Sequence, residues 1–181
     1  MKEKQIHEEI EIPEGVTAEY KDKELVVKGP MGEAKKKMID PKVTITAADK
    51  ITFQCDNSTR REKAKIHSYR AHARNLIKGV TEKFTYKLKI CSGHFPMNVS
   101  VNNKQFIIKN FLGEKVPRVL NIKEGADVKI EGNDITVEGT SREICGQVAA
   151  DIEQLCRITN RDKRIFQDGI YITNKAGKEI K

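Results

Sequence analysis

The chain has 181 residues, 38% hydrophobic and 33% charged, and its 34 basic against 26 acidic side chains leave a net charge of +8. That composition excludes a disordered polymer and directs attention to anionic partners, nucleic acid first, although an acidic protein or an anionic membrane is drawn by the same charge. No apolar run approaches the roughly 20 residues of a membrane span, and Met1-Lys2-Glu3-Lys4-Gln5 is unlike a secretory leader, so a soluble intracellular protein with no membrane partner is expected.

Short β-branched runs predict strands over 17–20, 24–28, 43–46 and 51–54, with a hairpin turn at Asp22-Lys23. A helix follows. Its apolar stripe is Ile66, Tyr69, Ala73, Leu76, Ile77 and Val80, with Ser58 or Thr59 as cap and Gly79 near the stop. Strands resume over 83–90, 99–101, 106–109, 126–131 and 134–137, with turns at Asn102-Asn103 and Gly132-Asn133. A second helix places Ile144, Val148, Ile152, Leu155 and Ile158 on one face, capped by Thr140 or Ser141.

These runs are two copies of one pattern. Pro13-Glu14-Gly15-Val16-Thr17 parallels Pro96-Met97-Asn98-Val99-Ser100, and Leu25-Val26-Val27-Lys28 parallels Phe106-Ile107-Ile108-Lys109. Lys50-Ile51-Thr52-Phe53 matches Asp134-Ile135-Thr136-Val137, and a helix follows each. Strands first and then one helix, without β-α-β alternation, predict an α+β fold. It has two tandem duplicated domains, residues 1–81 and 82–181, each an antiparallel sheet with a helix packed on one face.

Catalytic and metal chemistry find little support. His67 and His72 are five apart and point in different directions on a helix. Cys91 and His94 are neighbours in an extended segment that need not touch, and Gly29-Pro30-Met31-Gly32 reads as a hairpin turn rather than a phosphate cradle. No paired carboxylates stand out, so neither an enzyme nor a cofactor is expected. Cys55, Cys91, Cys145 and Cys156, without a C-x-x-C pair, read as reduced thiols that mostly pack.

Cations are the more informative residues. Arg60, Arg61, Lys63, Lys65, Arg70 and Arg74 cluster on the first helix, as a phosphate-facing surface or a merely solvated face. After the second helix, Arg157, Arg161, Lys163 and Arg164 lead into Phe166-Gln167-Asp168-Gly169-Ile170-Tyr171, a mixture of cations and aromatics suited to structured RNA. Phe166 and Tyr171 are equally readable as core anchors. The run from Lys109 to Arg118 puts Phe111 and Leu112 in a hairpin loop, where they form a contact surface if exposed or cap the sheet if folded inward.

Three segments, Asn110-Phe111-Leu112-Gly113-Glu114-Lys115, His94-Phe95-Pro96-Met97-Asn98-Val99 and Asp162-Lys163-Arg164-Ile165-Phe166-Gln167-Asp168-Gly169-Ile170-Tyr171, carry a resemblance. Read with the duplication, they resemble the family of the universal sixth protein of the large ribosomal subunit, in its archaeal and eukaryotic form, over nearly the whole chain. The resemblance implies a structural constituent whose second domain makes the main contacts to large-subunit ribosomal RNA, near the site that engages translational GTPases and beside neighbouring ribosomal proteins. It implies RNA contact at Gly113, Glu114, Lys115, Lys163, Arg164, Phe166, Gln167, Asp168, Gly169 and Tyr171, and we add the adjoining Arg118 and Arg161 as candidates. Asp168, being acidic, is expected to shape the turn with Gly169 or accept from a sugar 2′-hydroxyl rather than meet phosphate. Cys91-Ser92-Gly93, where relatives often carry an aromatic residue, and a short tail after Asn174 depart from the family pattern.

Net charge points the other way, with +6 over residues 1–90 (20 basic, 14 acidic) against +2 over 91–181 (14 basic, 12 acidic). Local geometry is expected to outrank net charge. The alternative function is a protein-interaction module docking through the basic helix and the Phe111-Leu112 loop.

Overall fold

A computed structural model describes residues 3–180, in two compact units, Met1–Lys83 and Phe84–Lys181. Both are α+β, with antiparallel sheets and one long helix. Cut at this boundary the charge is even, 18 basic against 14 acidic side chains in the first unit and 16 against 12 in the second, so +4 each. The asymmetry between halves came from Lys87 and Lys89, which belong to the second unit.

In the first unit β1 (Glu3–Glu11), β6 (Lys50–Ser58) and β5 (Thr44–Ala47) form one sheet in that order, and β2 (Thr17–Lys21), β3 (Glu24–Gly29) and β4 (Gly32–Lys37) form another. Alternate residues supply the core: Leu25 and Val27 of β3 and Ile51, Phe53 and Cys55 of β6 are buried with Ile66, Ala73, Leu76 and Val80 of α1 (Arg60–Thr81). A capping box starts α1, in which the Thr59 hydroxyl accepts from the Arg61 N–H at 3.3 Å and the Glu62 carboxylate accepts from the Thr59 N–H at 2.9 Å.

The second unit repeats this topology and adds to it. Its strands are β7 (Phe84–Cys91), β8 (Asn98–Asn102), β9 (Gln105–Lys109), β10 (Arg118–Asn121), β11 (Asp127–Glu131) and β12 (Asp134–Gly139), followed by α2 (Arg142–Leu155), β13 (Gly169–Lys175) and β14 (Lys178–Glu179). The order β7-β12-β11 matches β1-β6-β5, and β8-β9-β10 matches β2-β3-β4. In both units the first hairpin turns on two residues at positive φ, Asp22 (51°) with Lys23 (64°) and Asn103 (47°) with Lys104 (61°), the backbone signature of a type I′ turn. The second of these lies one residue beyond the expected Asn102-Asn103, because Asn102 still pairs with Gln105.

The addition is β13. After α2 the chain crosses residues 156–168 and returns antiparallel along the edge of β7 not used by β12, giving the five-stranded order β11-β12-β7-β13-β14. The basic and aromatic segment is therefore the part of the second unit that has no counterpart in the first.

Five strands escaped the sequence reading: β1, β4, β10, β13 and β14. Four of them are sheet edges. A strand such as β4, with Lys35, Lys36 and Lys37 around a single buried Ala34, is held by its partner rather than by its own pattern. The division of each unit into two sheets was likewise invisible to a period-two reading.

Cys55, Cys145 and Cys156 are buried and Cys91 is exposed, all as free thiols, and burial pushes Cys145 and Cys156 up to about 11. Among the described residues no helix is long and apolar enough to cross a membrane, and no three His, Cys, Asp or Glu gather as metal ligands.

Candidate nucleic-acid interface

Three segments of the second unit meet at one end of its sheets: residues 92–97 after β7, residues 110–117 after β9, and residues 156–168 after α2. The first and third are joined by Asp168. Its carboxylate lies 2.6 Å from Nδ1 of His94 and accepts the backbone N–H groups of Gly93 at 2.5 Å and His94 at 3.0 Å. Only 2% of Asp168 is exposed. Burial by itself would raise its pKa, but the backbone and ring donors of His94 and the Gly93 N–H outweigh it and hold the carboxyl below its usual range. The His94 ring also stacks on Phe166, centroid to centroid 4.8 Å, and the Arg161 guanidinium lies 4.8 Å from the same ring centre.

Two further ties close the cluster. Asn110 donates through Nδ2 to the Pro96 carbonyl at 3.1 Å, and a Cβ on Gly113 would sit 3.6 Å from the Phe95 ring. Arg118 then fastens the second segment to the third. Its guanidinium forks onto Glu114 at 2.8 and 2.5 Å, donates through Nη1 to the carbonyls of Leu155 at 2.6 Å and Arg157 at 3.3 Å, and lies 4.2 Å over the Phe111 ring. It thereby satisfies a carbonyl at the end of α2, where helices leave acceptors unpaired. The pairing lowers the Glu114 pKa and raises that of Arg118.

The candidate residues thus fall into two groups. Arg118, Glu114, Asp168 and Phe166 spend their polar groups or ring faces on neighbours within the cluster. Lys115, Arg157, Arg161 and Lys163 are exposed and form no ion pair among the described residues, while Arg164, also exposed, pairs with Asp162 at 2.7 Å. Gly113 holds φ at +80°, in the left-handed region. Gly169 is buried under Tyr171, whose hydroxyl donates to the Gln167 carbonyl at 3.2 Å, and Gln167 itself is exposed. Around these stand exposed apolar groups, Phe95 at 42%, Ile165 at 62% and Tyr171 at 43%.

The expectations about Phe111 and Phe166 resolve differently. Phe111 is fully buried and Leu112 half-buried, so these two side chains cap the sheet, while Val116 of the same loop is exposed. Phe166 packs partly against the core, whereas Tyr171 stays exposed. His94 and Phe95 were not among the candidate contacts. A histidine in a Ser-Gly-His-Phe-Pro turn gives no local hint that its partner is an aspartate 74 residues on. The Cys91/His94 nucleophilic pairing is replaced by His94/Asp168.

In the first unit the basic helix is answered in part from within. Lys65 meets Asp40 at 2.5 Å, Arg70 meets Glu8 at 2.9 Å and His67 lies 3.7 Å from Glu8.

Comparison with known proteins fits this duplicated frame. The chain matches the ribosomal protein L6 family twice, over residues 12–83 and 95–169, once in each unit. The chain belongs to that family. It is therefore a ribosomal protein, a structural constituent and not an enzyme. It is 45% identical over 176 residues to large ribosomal subunit protein uL6 of Methanococcus vannielii, covering 97% of both chains. With the protein of the same name from Methanobrevibacter smithii it shares 43% over 171 residues, 94% of this chain and 96% of the relative.

Proposed function

We propose that this constituent of the large ribosomal subunit binds large-subunit ribosomal RNA chiefly through its second unit and stabilises the tertiary structure of that RNA. The observation that carries the reading is the pinned three-segment cluster. A buried Asp168 and a forked Arg118 fix the loops, leaving Lys115, Arg157, Arg161 and Lys163 to neutralise phosphates from defined positions. The exposed rings beside them suit bases or sugars, a pairing that an acidic protein surface does not call for. In this reading Arg118, Glu114 and Asp168 position the contacts, and Gly113 and Gly169 give the backbone its shape. The family resemblance supports a location near the region that engages translational GTPases, among other large-subunit proteins.

The test is binding of the full chain to purified large-subunit ribosomal RNA over a salt series. About four neutralised phosphates predict affinity falling on the order of 100-fold between about 50 and 200 mM salt. Reversing Arg157 and Lys163 to Glu should abolish most of this binding, whereas reversing Arg60 and Arg74 should not. Equal losses from both pairs overturn the assignment to the second unit. For the location, subunits assembled without the chain should lose stimulation of GTP hydrolysis, and full stimulation would refute it.

A further inference from the structure

We propose that Tyr171 is a preorganised stacking platform for an unpaired base of ribosomal RNA, with the adjoining phosphate held in one of the two hollows the ring borders and the base edge read in the other. The proposal rests on the RNA-binding reading above and names the element of RNA that the site takes.

The ring is fixed before any ligand arrives. Its hydroxyl is tied to the Gln167 carbonyl at 3.2 Å, and the ring lies so close over Gly169 that a Cβ there would stand 3.1 Å from it. A side chain at 169 would make the ring give way by a few tenths of an ångström. With 43% of the residue still exposed, part of the ring remains open to a ligand. A side chain already immobilised has little rotamer entropy left to lose on binding.

Tyr171 also borders two hollows, of about 470 and about 500 Å³. Arg157 and Lys163 line the first. Its one carboxylate, Glu153, accepts the Ile172 N–H at 3.3 Å and is outnumbered by the two cations. The second is lined by Ser92, His94 and Gln167, which offer a hydroxyl, a ring nitrogen and an amide without net negative charge. The Asp168 carboxylate, which also lines it, is already occupied by three donors. Cations in one hollow beside an aromatic ring and edge-reading polar groups in the other match a nucleotide, whose phosphate and base lie on either side of its sugar.

The experiment uses the full chain and purified large-subunit ribosomal RNA. Tyr171→Leu keeps an apolar group over Gly169 but loses the π-face and should weaken binding about tenfold or more, while Tyr171→Phe should stay within about threefold. Ultraviolet cross-linking of the unaltered protein, which does not depend on any variant folding, should join Tyr171 to a single nucleotide. A Tyr171→Leu chain that binds as tightly as the original, or a cross-link confined to other residues, overturns the platform and leaves RNA binding standing. Absence of salt-sensitive binding by the unaltered chain overturns both.

Discussion

Asp168 and His94, 74 residues apart in sequence, are joined by a 2.6 Å contact between the carboxylate and Nδ1, and the same carboxylate accepts the backbone N–H groups at 93 and 94. One buried acid thus seats the loop that carries Phe95 against the segment that carries Lys163 and Arg164.

Because folding lowers the Asp168 pKa, its contribution is present above the ordinary carboxylate range and is lost as pH falls through the depressed folded value. Asp168→Asn should remove that acid-side loss. At neutral pH it should cost about 1–3 kcal/mol, since the acceptor is buried. Amide hydrogen exchange in β7 and β13 measures this locally, and unchanged protection at neutral pH would count against the role.

Arg118→Lys should behave nearly as badly as Arg118→Met. A lysine cannot fork onto Glu114 and still reach the Leu155 carbonyl, so about 1–2 kcal/mol should be lost with either change. Limited proteolysis within residues 110–117 reports the unpinned loop. A lysine variant as resistant as the parent would show that charge alone suffices.

Gly139→Ala should destabilise the second unit by about 1–3 kcal/mol through overpacking. The added Cβ would collide with the Gly125 carbonyl oxygen and stand 2.7 Å from Sγ of Cys145. Gly132, at φ 62° with nothing within 4 Å, should accept Asn within about 0.5 kcal/mol. Thermal unfolding of the two variants separates collision from backbone strain.

Glu62 should contribute to the acid stability of the first unit. Its bond from the Thr59 hydroxyl, the backbone donors at 62 and 59, and Lys42 hold its pKa down to about 2. The stabilisation is complete above the unfolded value near 4.5 and disappears as pH falls toward 2. Glu62→Gln should flatten that limb, as followed by α1 helicity against pH, and an unaltered acid profile would show that other carboxylates control it.

Much of the frame was legible because it is written in local periods. The stripes of α1 and α2, the turn at Asp22-Lys23 and the two copies of the strand pattern follow from local residue types and spacing, and the duplication read with three motif segments carried the family resemblance. Edge strands were not legible, since β4 and β10 owe their conformation to β3 and β9. The interface was legible as composition, in the cations and aromatics of residues 157–171, but not as roles. Arg118 carries the same charge as Lys163, yet one is spent on α2 and the other faces outward.

The sequence by itself determined the helices, nine of the fourteen described strands, the repeat and the basic character of the segment after α2, because spacing and charge are properties of neighbours along the chain. Only the tertiary structure decided that this segment returns as β13 beside β7, that His94 takes Asp168, and that Tyr171 stays open while Phe111 is buried. Those outcomes depend on which distant backbone edge and which buried donor lie within reach, and folding alone brings them together.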